Sequence, residues 1–210
     1  SRRKFIKNSV LGAAGVIALQ SNARCETDEV KSKELKGKSG GAGKVTKPIV
    51  ISTWRHGMEA NQGAWKILKE GGSALDAVEK GVMVTESDAD NRSVGLGGLP
   101  DRDGIVTLDA CIMNHEQDCG AVGCITDIEH PISVARKVME ETPHVMLVGK
   151  GAYEFAREQG FPHKNLLTPE AEADWKKWKE SESQKKPEIN HENHDTIGML
   201  AMDAEGNLSG

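Results

Sequence analysis

The segment His194-Asp195-Thr196-Ile197-Gly198-Met199-Leu200 constrains this chain more than any other. An acid directly before a threonine, at the head of an apolar run, is the arrangement expected where a chain cuts itself and leaves threonine as a new N-terminus. Such a threonine is both nucleophile and base: its freed α-amine, with a reference pKa near ~8, can take the hydroxyl proton at neutral pH without a separate histidine. The same residues also read as an ordinary buried strand, Ile197 to Met202, with Asp203-Ala204-Glu205-Gly206-Asn207 as a hairpin turn and Leu208 opening the return strand. Either reading puts a strand here with Thr196 at its head.

A hydrophobic fraction of 37% over 210 residues allows one globular domain with a real core. The net charge of -5 comes from interspersed rather than blocked charges. Neither nucleic acid nor an anionic membrane surface is therefore an expected partner, and small molecules are. Residues 1–25 read as a signal rather than as fold. Ser1-Arg2-Arg3-Lys4-Phe5-Ile6-Lys7 resembles a twin-arginine export signal, Val10 to Leu19 is too short to span a bilayer, and Ser21-Asn22-Ala23 offers a cleavage site. The expectation is a periplasmic or secreted protein with no membrane attachment once the signal is removed. The absence of an initiator Met adds the expectation that the sequence is incomplete. Residues 26–47 are charged and glycine-rich without apolar periodicity, as in a flexible linker. Gly37 to Val45 is excluded as a nucleotide-binding loop, because its glycine spacing is wrong and Val45 sits where a magnesium-binding hydroxyl is needed.

From Pro48 the chain alternates strand and helix signals. Ile49 to Thr53 predicts a buried strand that ends at Trp54. Asn61 is the expected N-cap of a helix through Glu70, with Ala64, Trp65 and Leu68 on one face and Gly71-Gly72 stopping it. Ser73 caps the next helix, with Asp76 three residues on and Leu75, Val78 and Val82 as the apolar stripe. Ser93-Val94-Gly95-Leu96-Gly97-Gly98 lets the backbone turn tightly or approach another group, and is a candidate pocket wall. Asp101 to Gly104 reads as a turn into the strand Ile105 to Met113, with Ala121 to Ile125 as its antiparallel partner. Helices are expected at Ser133 to Glu141 and Gly151 to Gln159, while His144 to Gly149 is open between strand and buried connection. Beyond Thr168 a surface helix and then a mobile loop lead to Asn193.

Taken in order, Ser52-Thr53-Trp54, Gly71 to Glu79, Ser93 to Gly98, Thr107-Leu108-Asp109-Ala110, Val134 to Val138 and His194 to Met199 form a series that resembles the glycosylasparaginases, members of the N-terminal nucleophile (Ntn) hydrolases. The likeness runs from about Pro48 to Gly210. It implies an α+β fold, the four-layer αββα Ntn-hydrolase sandwich. Residues 48–195 would be the large (α) subunit and 196–210 the start of a small (β) subunit that is truncated here. It implies one precursor, cut at Asp195-Thr196 into an α/β heterodimer, with pairing as (αβ)2 a further option. Backbone strain on that bond would assist the cut. His194 and Asp195 would serve processing, and Thr196 both processing and turnover. Trp54 would line the substrate pocket and Ser93 would orient or activate the nucleophile. The implied reaction is hydrolysis of a glycosylated asparagine to L-aspartate and 1-amino-N-acetylglucosamine, with no metal and no cofactor. Related plant-type asparaginases and isoaspartyl peptidases usually place glycine before the threonine, where this chain has Asp195.

The resemblance also implies that groups beyond Gly210 hold the substrate's α-carboxylate and α-amine and supply oxyanion donors. Two other functions remain open at the level of sequence: an isoaspartyl peptidase or L-asparaginase using the same Thr196, and an exported binding protein without catalysis. His191-Glu192-Asn193-His194 is one residue short of a zinc-protease helix motif, and Cys111, Cys119 and Cys124 lack paired spacing. Trp175 and Trp178, at i,i+3, fit packing better than ligand stacking.

Overall fold

The computed structural model describes residues 46–181 and 196–210. The segment expected to be a signal (1–25), most of that expected to be a linker (26–47), the loop expected before Asn193, and His194 and Asp195 lie outside the described residues. The chain is α+β. It runs β1 (Ile49–Ser52), α1 (Gly57–Leu68), α2 (Ala74–Glu86), β2 (Leu108–Met113), β3 (Cys119–Ile125), α3 (Pro131–Glu141), β4 (Met146–Val148), α4 (Gly149–Glu158), α5 (Pro169–Ser181), β5 (Met199–Met202) and β6 (Leu208–Ser209).

The strands make two three-stranded sheets, ordered β1-β5-β6 and β2-β3-β4. In the first sheet all neighbours are antiparallel, with Ser52 opposite Met199 and Ile49 opposite Met202. In the second, β2 and β3 are antiparallel and β3 and β4 parallel. Met113 and Gly210 exchange both backbone bonds, at 2.8 and 3.2 Å, so the end of β2 touches the residue after β6.

Helices cover one face of each sheet. Ala60, Ala64 and Leu68 of α1 and Ala77, Val78 and Val82 of α2 are buried, and with them Met199 and Ala201 of β5. Gly81 makes this fit possible, because a Cβ there would run into the Met199 sulfur and the Ala60 carbonyl. On the second sheet Val134, Ala135 and Val138 of α3 pack with Ile112, Val122 and Ile125. Residues i, i+3 and i+4 on each helix thus fill the core as the apolar periodicity predicts.

Several boundaries and burials depart from the sequence reading. β1 was expected to be buried, but Ile49 and Ile51 are 47% and 57% exposed. A run that is apolar at every position reads as covered on both faces, and here helices cover only one. α1 starts at Gly57 rather than after Asn61, because the Trp54–Gly57 turn already supplies Gly57 N–H to Trp54 O and Met58 N–H to Arg55 O. Trp65 is 44% exposed rather than on the core face. The strand expected from Ile105 begins at Leu108, after the turn in which Asp101 Oδ1 accepts from Asp103 and Ile105. The open segment at 144–149 contains β4, an edge strand with Met146 and Val148 exposed. Ser73 capping, the α3 and α4 helices, the β2/β3 pair and the β5/β6 hairpin all form.

Candidate active site

The strand β5 and the glycine loop after α2 meet at one open cavity of about 860 Å³. Its lining includes Ile51, Ser52 and Thr53 at the end of β1, Ser93, Val94 and Gly95 of the loop, Thr107 to Cys111 around β2, and Thr196 to Leu200. Thr196 is exposed there. The structure thus brings Thr196 and Ser93, far apart in sequence, to the same cavity. Trp54 stands apart: it follows β1 at φ 61, is 45% exposed, and is not among the residues that border the cavity.

The loop wall owes its form to glycine. Gly95 at φ 69 presses its α-carbon against the Glu86 backbone, where a Cβ would overlap the carbonyl, and Gly97 at φ 78 lies against the Ala89 carbonyl. Left-handed backbone without a side chain is what glycine alone supplies cheaply. Main-chain bonds then fix the loop: Leu96 N–H to Glu86 O at 2.7 Å, Gly97 N–H to Leu166 O at 2.9 Å and Leu99 N–H to Arg92 O at 3.2 Å. Asn91 Oδ1 accepts from Ser93 N–H at 2.8 Å, which sets the backbone of Ser93.

Behind the loop lies Glu86, only 3% exposed. Its carboxylate accepts from Ile132 N–H at 3.1 Å and lies 3.2 Å from His130 Nδ1. Burial pushes its carboxyl above the usual carboxylate range, and the His130 and Ile132 contacts do not fully offset this. Nothing in the sequence marked Glu86, a polar residue in the last turn of a helix.

The threonine side of the cavity is held differently. Gly198 exchanges two hydrogen bonds with Thr53 just past the β1/β5 ladder. At the other end of β5, Asp203 is 2% exposed and accepts from Gly206 and Asn207 N–H, each at 2.9 Å, and from Ala74 N–H at 3.3 Å. Burial alone would raise this carboxyl, but the amide donors outweigh it and hold it below its ordinary value. A third polar cluster ties α3 to α2, where Arg136 bridges Asp76 at 2.6 Å, Glu79 at 2.8 Å and Glu140 at 2.7 Å. The sequence reading gave Asp76 a capping role; it serves both, since Ser73 Oγ also donates to it at 2.8 Å. Cys111, Cys119 and Cys124 are free thiols.

Thr196 at the head of β5 and the glycine loop thus border one open cavity. The Asparaginase_2 family, described as asparaginase, matches residues 38–210. The chain belongs to that family. It is 54% identical to the N(4)-(β-N-acetylglucosaminyl)-L-asparaginase of Elizabethkingia miricola, over 100% of this chain and 58% of that protein. It is 37% identical to the mouse enzyme of the same name over 77% of this chain and 56% of the relative, and 37% identical to the rat one over 77% and 55%. The chain therefore spans less than two thirds of the length of these curated relatives.

Proposed function

We propose that the protein is a glycosylasparaginase, an amidohydrolase that splits N4-(β-N-acetylglucosaminyl)-L-asparagine into L-aspartate and 1-amino-N-acetylglucosamine. The observation that carries this reading is the convergence of Thr196 and Ser93 on one cavity in a chain of this family. In the precursor, Thr196 Oγ attacks the Asp195 carbonyl, the acyl group passes from nitrogen to oxygen, and water splits the ester. His194 and Asp195, outside the described residues, serve this cut.

In turnover the freed Thr196 α-amine takes the hydroxyl proton as Oγ attacks the side-chain amide carbon of the substrate. The C–N bond then breaks, the proton passes to the departing amino sugar, and an aspartyl ester remains on Thr196. Water attacks that ester with the same amine as base and releases aspartate. Ser93, on the same cavity as Thr196, orients the threonine hydroxyl. No step calls for a metal or cofactor.

The finer architecture belongs to the same proposal. The uncovered sheet faces, with Ile49, Ile51, Leu200 and Leu208 on one and Met113, Met146 and Val148 on the other, are all exposed and apolar. That supports a four-layer αββα sandwich in which such faces are covered. Cleavage would give an α/β heterodimer, with (αβ)2 pairing as the larger assembly, and residues 1–25 would direct twin-arginine export. A reporter active only outside the cytoplasm, fused after residue 25, tests the last point.

The decisive experiment takes the full-length precursor, purified under denaturing conditions, through intact mass measurement and N-terminal sequencing. Aspartate release from glycosylasparagine, a β-aspartyl dipeptide and asparagine is assayed side by side. A fragment starting at Thr196 and preference for the glycosylated substrate are expected, both abolished by Thr196→Ala. An uncut chain, or equal turnover of Thr196→Ala, would overturn the proposal. Preference for the dipeptide would move the assignment to isoaspartyl peptidases.

A further inference from the structure

Thr53 has no part in the reaction as written, yet it binds the chain two residues from Thr196. The β1/β5 ladder runs from Ile49 opposite Met202 to Ser52 opposite Met199. The next rung in the same register pairs Thr53 with Gly198. There Thr53 N–H donates to Gly198 O at 2.9 Å, but Gly198 N–H donates to the side-chain Oγ1 of Thr53 at 2.8 Å. In a regular antiparallel rung that second bond goes to a backbone carbonyl. Trp54 turns the chain at φ 61 immediately afterwards, and the hydroxyl takes the acceptor's place. One residue thus holds both polar groups of Gly198, two positions from Thr196.

Thr53 is itself braced. Ser52 Oγ donates to Gly57 O at 2.8 Å, and Gly57 N–H reaches Trp54 O at 3.3 Å, so the turn from β1 into α1 is closed on both sides. A Cβ on Gly57 would overlap Ser52 Oγ. β-Branching restricts the Thr53 hydroxyl further, since few χ1 rotamers are open to threonine. Thr53, Thr196, Ile197 and Gly198 all border the same cavity.

We infer that Thr53 is a positioning residue for Thr196: by clamping Gly198 it sets the direction in which the threonine hydroxyl leaves β5, for chain scission and for turnover alike. This rests on the proposed role of Thr196. A small misplacement of a nucleophile costs rate steeply while leaving binding groups elsewhere untouched.

The test compares Thr53→Val, which keeps the shape and loses the acceptor, with Thr53→Ser, which keeps the acceptor, both in the full-length precursor. Precursor scission, steady-state hydrolysis of glycosylasparagine and hydrogen exchange of the Gly198 amide are measured together. Thr53→Val should expose the Gly198 amide to faster exchange, slow scission and lower kcat by about tenfold or more, with KM within about twofold. Thr53→Ser should restore most of the rate and the protection. Unchanged kcat and scission in Thr53→Val would overturn the inference. So would a loss seen mainly in KM, which would make Thr53 a substrate contact. If Thr53→Val does not fold, Thr53→Ser decides: slow turnover with Gly198 still protected also overturns it. A wild-type precursor that yields no fragment at Thr196 is a different result, because it removes the proposed function, and the inference with it, before any variant is compared.

Discussion

The two walls of the cavity are built by opposite means. The loop wall, Ser93 to Gly98, is held by main-chain bonds beyond the Asn91 side chain that binds Ser93 N–H, and it depends on side chains that are absent: Gly95 and Gly97 lie at φ 69 and 78 against backbone carbonyls. The strand wall, Thr196 to Leu200, depends on side chains that are present, Thr53 before β5 and Asp203 after it. Each wall is backed by a buried carboxylate, and the two are displaced in opposite directions. Glu86 behind the loop is raised by burial, and Asp203 below the strand is lowered by amide donors. The loop should therefore fail when atoms are added and the strand when they are removed.

The largest expected effect comes from adding one carbon. Gly95→Ala imposes a left-handed alanine and drives its Cβ into the Glu86 carbonyl, which together should cost about 3 kcal/mol. Gly71→Ala is the control, since Gly71 has φ 81 but nothing within 4 Å of where the added methyl would stand; it should lose only about 1 kcal/mol. Urea unfolding measures both. Equal losses in the two variants would mean that the loop yields without strain and the comparison of walls is wrong.

Removing atoms from the strand wall comes next. Asp203→Ala leaves the amides of Ala74, Gly206 and Asn207 without their acceptor and should cost about 2 kcal/mol. The carboxyl's folded pKa is depressed, so its contribution is present above its ordinary value near ~3.9 and is lost as pH falls through the lower folded value. Wild-type urea midpoints should drop below about pH 4, and Asp203→Asn should lack that part of the slope. Ser73→Ala is smaller, about 1 kcal/mol, because it removes the hydroxyl that accepts from Asp76 N–H. Both Ser73 and Asp203 serve the first turn of α2, so the double variant should depart from additivity. Strict additivity would show that the two caps act independently.

What the sequence revealed follows from the range of the forces involved. Helix caps and stops are local, so Ser73 and Gly71-Gly72 were readable, as was the hairpin from Asp203 to Asn207. The glycine loop announced a close approach without saying to what. The Glu86 carbonyl it meets was invisible because helix α2 and the loop define each other only in three dimensions. The exposure of Ile49, Ile51 and Leu200 contradicted their apolar pattern, since periodicity records what a face can bury and not what covers it. Thr53 lay within a recognised motif, but its bond to Gly198 spans 145 positions, and no local rule pairs them.

The smallest effect is the one that best separates the walls. Among the described residues, Ile132 N–H and His130 Nδ1 reach the Glu86 carboxyl, with the Glu79 charge nearby, and burial raises its pKa. A raised carboxyl stabilises the fold below its unfolded value near ~4.3 and loses that contribution as pH rises through the folded value, the reverse of Asp203. Glutamine is neutral throughout, keeps an acceptor for Ile132 N–H and can offer an N–H towards His130 Nδ1. Glu86→Gln should therefore change stability by less than about 1 kcal/mol at neutral pH and flatten the decline on the alkaline side of the carboxylate range. A loss above about 2 kcal/mol would instead identify Glu86 and His130 as an ionised pair whose rupture strands a buried charge. In that case the loop wall, like the strand wall, would be held by what its side chains supply.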